Sequence, residues 1–224
     1  GYVAIRAGVR MHFRDGYVKP DATYIARIYD IMKQVDHILC TQNIPYWIEA
    51  GTLLGAVRHK SIIPWDDDCD IVVPQKYAQK LLSLSTVFKE HNLRYKPVYF
   101  GAQISYCDDG VRPGYVDLFF KQDQGTHYVY PIVKNIDASP IEQSYIHKTE
   151  IFPLKRYVFG PIQVLGPQNP YPYLQRTYGN WQKERIFFNH DCPRYVQIFG
   201  IFMRYYWDTL PQMYVRLKTI LQQF

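Results

Sequence analysis

Four aspartates fall within five positions, Asp66, Asp67, Asp68 and Asp70, where the chain turns into the apolar run Cys69, Ile71, Val72 and Val73. Acids placed inside an apolar run restrict what the segment can form. The run reads as a β-strand, and side chains alternate across a strand. Asp68 and Asp70 therefore share one face, with Cys69 and Ile71 on the other. Two adjacent carboxylates repel each other unless a cation lies between them. A set of ligands that are all oxygen suits Mg²⁺ or Mn²⁺ better than zinc. The ordinary reading of an acid run is a solvated loop. It fits poorly here, because Asp70 lies within the strand itself.

The residues just upstream strengthen the metal reading. Trp47 to Ala50 reads as a short strand. Gly51-Thr52 follows, and Leu53, Leu54, Ala56 and Val57 suit a short helix. A helix starting there would offer unpaired N–H groups and its dipole to phosphate oxygens, with Gly51 and Thr52 as the cradle. Arg58 is a candidate for the charge on donor phosphates, since its planar fork matches them. A plain surface arginine is the competing reading. Asp66 and Asp67 read as outer partners that shape the loop, Asp66 also as a substrate contact. Further on, Tyr115 to Phe120 reads YVDLFF, with Asp117 in mid-strand. An aspartate there is costly if buried without a partner. It faces water on an edge strand, or it is a third ligand brought in beside Asp68 and Asp70.

With these residues in view, the stretch GTLLGAVRHKSIIPWDDDCDI resembles the core motif of the LicD family. That family includes phosphocholine transferases and fukutin-related ribitol-phosphate transferases. Gly51-Thr52, a spacer, then acid–apolar–acid–apolar at Asp68 to Ile71 also matches the wider nucleotidyltransferase signature. FPLKRYVFGPIQVLGPQNPYPYLQRTYGNW, beginning at Phe152, again looks like LicD, so the resemblance runs from about Asp21 to Trp181. It implies an α/β (α+β) nucleotidyltransferase fold, a mixed sheet flanked by helices. It places the third acid, Asp117, on a later strand and makes Asp68, Asp70 and Asp117 both catalytic and metal-binding. It also implies a CDP-linked alcohol as donor, a glycan or glycoconjugate hydroxyl as acceptor, and CMP as the leaving group. The alternatives are a nucleotidyltransferase that releases pyrophosphate, and a non-catalytic module that binds sugar phosphate or a partner.

Composition bounds these readings. The chain has 224 residues, of which 47% are hydrophobic, so a sizeable core is available. A net charge of +6 suits an acidic substrate. No Lys/Arg cluster of the kind that tracks a nucleic-acid backbone is visible. Cys40, Cys69, Cys107 and Cys192 lie far apart without a CxxC pair, so nothing supports a structural zinc site. No apolar run reaches membrane-spanning length. The cytoplasm is the expected compartment, with a Golgi or secretory lumen as the alternative if an upstream anchor has been removed.

The remaining elements follow from periodicity. Residues 1–20 read as an arm, with Asp21 as the cap of a helix whose face is Ile25, Ile28, Met32, Val35 and Leu39. Gln75 to Glu90 reads as one helix. Leu93 to Tyr106 reads as one or two strands broken at Pro97 and Gly101, and Asp108-Asp109-Gly110 as a turn. Thr126 to Val133 reads as a strand, and the next twenty residues carry no clear pattern. Lys155–Phe159 and Ile162–Leu165 suggest a hairpin around Gly160-Pro161. Pro172 to Tyr178 suits a helix closed by Gly179. The catalytic domain is expected over 21–190, with helices at 191–224 packed on it.

Overall fold

A computed structural model of the chain describes residues 20, 22–64, 66–107, 114–131 and 145–183. All of them belong to one unit, 19–183. The arm over residues 1–19, the cap at Asp21, the turn at Asp108–Gly110 and the C-terminal helices lie outside the described residues.

The first helix, α1 (Ala22–Thr41), buries Ile28, Met32, Val35 and Leu39 as its period requires, and also Tyr29, Ile31 and Ile38. The buried face is wider than the sequence pattern because α1 packs on both a sheet and a hairpin. The sheet contains β1 (Trp47–Ile48), β2 (Asp68–Pro74), β3 (Leu93–Val98), β4 (Gly101–Tyr106) and β5 (Tyr115–Asp123) in the order β1-β2-β5-β4-β3. β2 and β5 run parallel, and the other pairs in that order are antiparallel. Two short strands, β6 (His127–Val129) and β7 (Tyr145–His147), extend it from the end of β5.

The register of β2 against β5 places the acids. Cys69, Ile71, Val73, Val116 and Leu118 are all fully buried on one face of this pair. Each such apolar side chain contributes about 1.5–3 kcal/mol. The like charges of Asp70 and Asp117 on the other face oppose pairing. The core face therefore holds the register, and the acids follow.

Between β1 and β2 lies α2 (Ala50–Arg58). The expected helix over 75–90 is instead a 3₁₀ turn (Gln75–Tyr77) followed by α3 (Ala78–Ser83) and α4 (Ser85–Glu90). The chain bends at Leu84, where it turns Leu81 and Phe88 into the core. Pro97 does not break its strand. β3 lies at the end of the strand order, where a missing N–H costs no ladder bond. Short α5 (Lys148–Ile151) follows β7. The expected hairpin is present as β8 (Lys155–Phe159) and β9 (Ile162–Gly166), and α6 (Tyr171–Tyr178) ends at Gly179.

Helix α1 and the hairpin also fix the loop that carries the acids. The Ile62 N–H donates to Tyr29 Oη at 3.0 Å, and Tyr24 Oη donates to the Asp67 carbonyl at 2.8 Å. Gly160 turns the hairpin at φ +59° and donates its N–H to the Lys60 carbonyl at 2.6 Å. A Cβ at Gly160 would lie 2.4 Å from the Tyr29 ring, so glycine meets both requirements. Among the described residues, no helix is long and apolar enough to cross a membrane.

Candidate active site

The parallel register sets Asp70 directly opposite Asp117, and Asp68 opposite Tyr115. Asp68 and Asp70 share a face by alternation. One carboxylate oxygen each from Asp68, Asp70 and Asp117 lies within 4.8 Å of the others. Residues nearly fifty positions apart in sequence thus meet at one point. A second group, Asp66, Asp67 and Asp68, meets the same distance criterion, with Asp68 common to both.

Burial and like charge act together on these acids. Burial pushes the Asp70 carboxyl well above the usual carboxylate range, and the charges of Asp68, Asp66, Asp117 and Glu49 push it further. Burial also raises Asp66, with Asp68 and Asp67 adding to it. Carboxylates gathered this closely, with oxygen as the only donor atom, fit Mg²⁺ or Mn²⁺.

Helix α2 begins beside these acids. Glu49 is its N-cap, and the Glu49 N–H donates to the Asp70 carbonyl at 3.2 Å. Ala50 and Gly51 lie in the first turn, where amides have no acceptor within the helix. Ala50 has φ +48°, an uncommon conformation for a residue with a Cβ, and the chain turns sharply there from strand into helix. A Cβ at Gly51 would lie 2.7 Å from Asp66 Oδ2, so the missing side chain admits the Asp66 carboxylate to the start of the helix. Thr52, expected in the phosphate cradle, has a structural partner for its hydroxyl. Its Oγ1 accepts the Asp70 N–H at 2.7 Å and ties α2 to the strand that carries the acids.

Arg58 ends α2, about 10 Å along the axis from Gly51 at the α-helical rise. There its Nε donates to His59 Nε2 at 2.9 Å and its Nη1 to the Trp181 carbonyl at 3.0 Å.

Two charged residues at the site escape the sequence reading. Glu49 and Lys121 are fully buried and form an ion pair. Trp47 Nε1 donates to the second Glu49 carboxylate oxygen at 2.8 Å. The Lys121 ammonium lies 4.3 Å from the Tyr130 ring centroid. Burial pushes the Lys121 ammonium below its usual value, and Glu49 opposes that shift. The available signal is a lone charge at the edge of each apolar run, in WIEAG and in YVDLFFK.

The family described as LicD/FKTN/FKRP, nucleotidyltransferase domain, matches residues 43–169. An uncharacterised protein of Rickettsia prowazekii (strain Madrid E) is 35% identical over 164 residues, covering 72% of this chain and 58% of its own length. The lipopolysaccharide cholinephosphotransferase LicD of Haemophilus influenzae is 25% identical, covering 69% of this chain and 74% of that protein. The human ribitol 5-phosphate transferase FKRP is 28% identical, covering 64% of this chain and 33% of that protein. The chain thus spans little more than half of the rickettsial relative and a third of the human one.

Proposed function

This chain belongs to the LicD/FKTN/FKRP nucleotidyltransferase-domain family, and from that membership we propose that it transfers a phospho-alcohol from a CDP-linked donor to a hydroxyl of a glycan or glycoconjugate. The transferred group is phosphocholine or an alditol phosphate, and CMP leaves. The observation that carries the reading is Asp70 opposite Asp117 with Asp68 alongside, next to the start of α2. The names of the Haemophilus and human relatives support the class of transferred group.

Asp68, Asp70 and Asp117 would hold the Mg²⁺ or Mn²⁺ ion. When bound, that ion supplies positive charge against the donor's phosphate oxygens. The amides of Ala50 and Gly51 in the first turn of α2 receive the same oxygens, and the dipole of the helix favours them. Asp66, held against Gly51, bounds this cradle on one side. Asp117 reaches the site from a different strand and takes the proton of the acceptor hydroxyl. The acceptor oxygen then bonds to the phosphorus that carries the alcohol. The bond from that phosphorus to the CMP oxygen breaks, and CMP departs with the electron pair.

Incubation with a panel of CDP-alcohols, glycan acceptors and Mg²⁺ tests the reading. CMP and a phospho-alcohol-modified glycan are expected. Pyrophosphate from CTP or ATP, with no CMP from any CDP-alcohol, would replace it with ordinary nucleotidyl transfer.

A further inference from the structure

Among the described residues, one fully buried ion pair lies beside the acids and has no place in the proposed reaction, that of Glu49 with Lys121. As a brace it is a poor device. A buried ion pair stabilises little over apolar residues of similar volume, and such replacements are often neutral or stabilising. Its position offers a better reason for it.

Trp47 pairs with Val72 and Ile48 with Ile71, so the antiparallel register continues to Glu49 opposite Asp70. The Glu49 N–H bonded to the Asp70 carbonyl marks the same step. Residues opposite each other in such a pair share a face. Glu49 therefore stands on the acid face, next to Asp70. Lys121 is on that face too, four residues beyond Asp117 on β5, about 13 Å along the strand. The pair is thus a fixed dipole lying across β2. Its negative end comes from the strand position beside Asp70, and its positive end from the strand position four residues beyond Asp117. Trp47 and Tyr130 hold the two ends, so the dipole cannot readily turn.

We propose that the Glu49–Lys121 pair strengthens cation binding at Asp68, Asp70 and Asp117, the Glu49 carboxylate acting on the bound ion from behind Asp70. The inference rests on the reading of these three aspartates as a divalent-cation site. Glu49 and Lys121 are positioning residues and touch neither substrate nor ion. The effect of the pair is a difference in distance: the carboxylate extends from the strand position beside Asp70, the ammonium meets it from the Lys121 side, and both sit where water screens little.

The test uses Mn²⁺ alone, titrated into the whole chain and followed by calorimetry or by the electron paramagnetic resonance of free Mn²⁺. The double variant Glu49→Gln/Lys121→Met keeps the shape of the pair and removes its dipole. It is expected to fold and to bind Mn²⁺ about tenfold more weakly, ~1.4 kcal/mol. Glu49→Gln alone leaves the ammonium unopposed and is expected to bind more weakly still. Lys121→Arg keeps the charge pattern and is expected to bind as the wild type does. A folded double variant with wild-type affinity would overturn the proposal. So would a Lys121→Arg variant that loses as much affinity as Glu49→Gln, because packing and not charge would then be responsible. If the double variant does not fold, the comparison of Glu49→Gln with Lys121→Arg decides the matter. A wild-type chain that does not bind Mn²⁺ would instead remove the cation site itself, an outcome distinct from either.

Discussion

Asp70 carries electrostatic strain from burial and from its acidic neighbours, and its behaviour without metal follows from that strain. Its folded-state carboxyl titrates above the unfolded value of about 3.9. Between those two values the folded state binds more protons than the unfolded state, so stability falls as pH rises through that window. In EDTA the wild type is therefore expected to be more stable at mildly acidic pH than at pH 8. Asp70→Asn removes this penalty. An average point substitution costs about 1 kcal/mol, but this one is expected to raise metal-free stability at pH 8 and to abolish turnover. Urea unfolding at the two pH values checks it. An Asp70→Asn chain less stable than wild type at pH 8 would show that the carboxylate is satisfied without a cation. Asp70 was legible in the sequence because an acid amid Ile71, Val72 and Val73 breaks the local pattern. Lys121 was not. Its partner lies 72 positions away, and no local period marks such a pair.

Helix α2 joins the phosphate cradle to the acids, and Thr52 is the joint. Thr52→Val removes the acceptor of a partly buried Asp70 N–H, which costs about 1–3 kcal/mol when left unsatisfied. Thr52→Ser retains the oxygen and is expected to recover most of that loss. Denaturant unfolding of the two variants measures the difference. A Thr52→Val chain within about 0.5 kcal/mol of wild type, the usual range for a neutral surface change, would contradict the role given to this bond. Elements as a class were legible where one face is apolar. The α1 face, the two acid strands and the hairpin around Gly160 all have that character. The reading failed where tertiary packing outweighs local pattern. The segment 75–90 is divided at Leu84 to fit the core, Pro97 is tolerated at a sheet edge, and β7 is three residues long. The existence of α2 was legible too. What each end of it touches was not: Arg58, in the last turn, donates to the Trp181 carbonyl 123 positions away.

At the scale of the whole unit, a core face made by apolar alternation sets the register of two parallel strands and thereby brings Asp70 to Asp117. Such a register between strands far apart in sequence is a property of the folded sheet, so the sequence could propose the third acid but not its exact partner. The proposed reaction requires Asp68, Asp70 and Asp117 together to hold a divalent cation. Asp68 also belongs to the group with Asp66 and Asp67, so the two arrangements place the ion differently. Anomalous diffraction from crystals soaked in Mn²⁺ separates them most directly. A peak bonded to Asp68, Asp70 and Asp117 at roughly 2.0–2.2 Å, the range for a small hard divalent ion, is expected. A peak held by Asp66 and Asp67 without Asp117, or no peak at saturating Mn²⁺, would contradict that requirement.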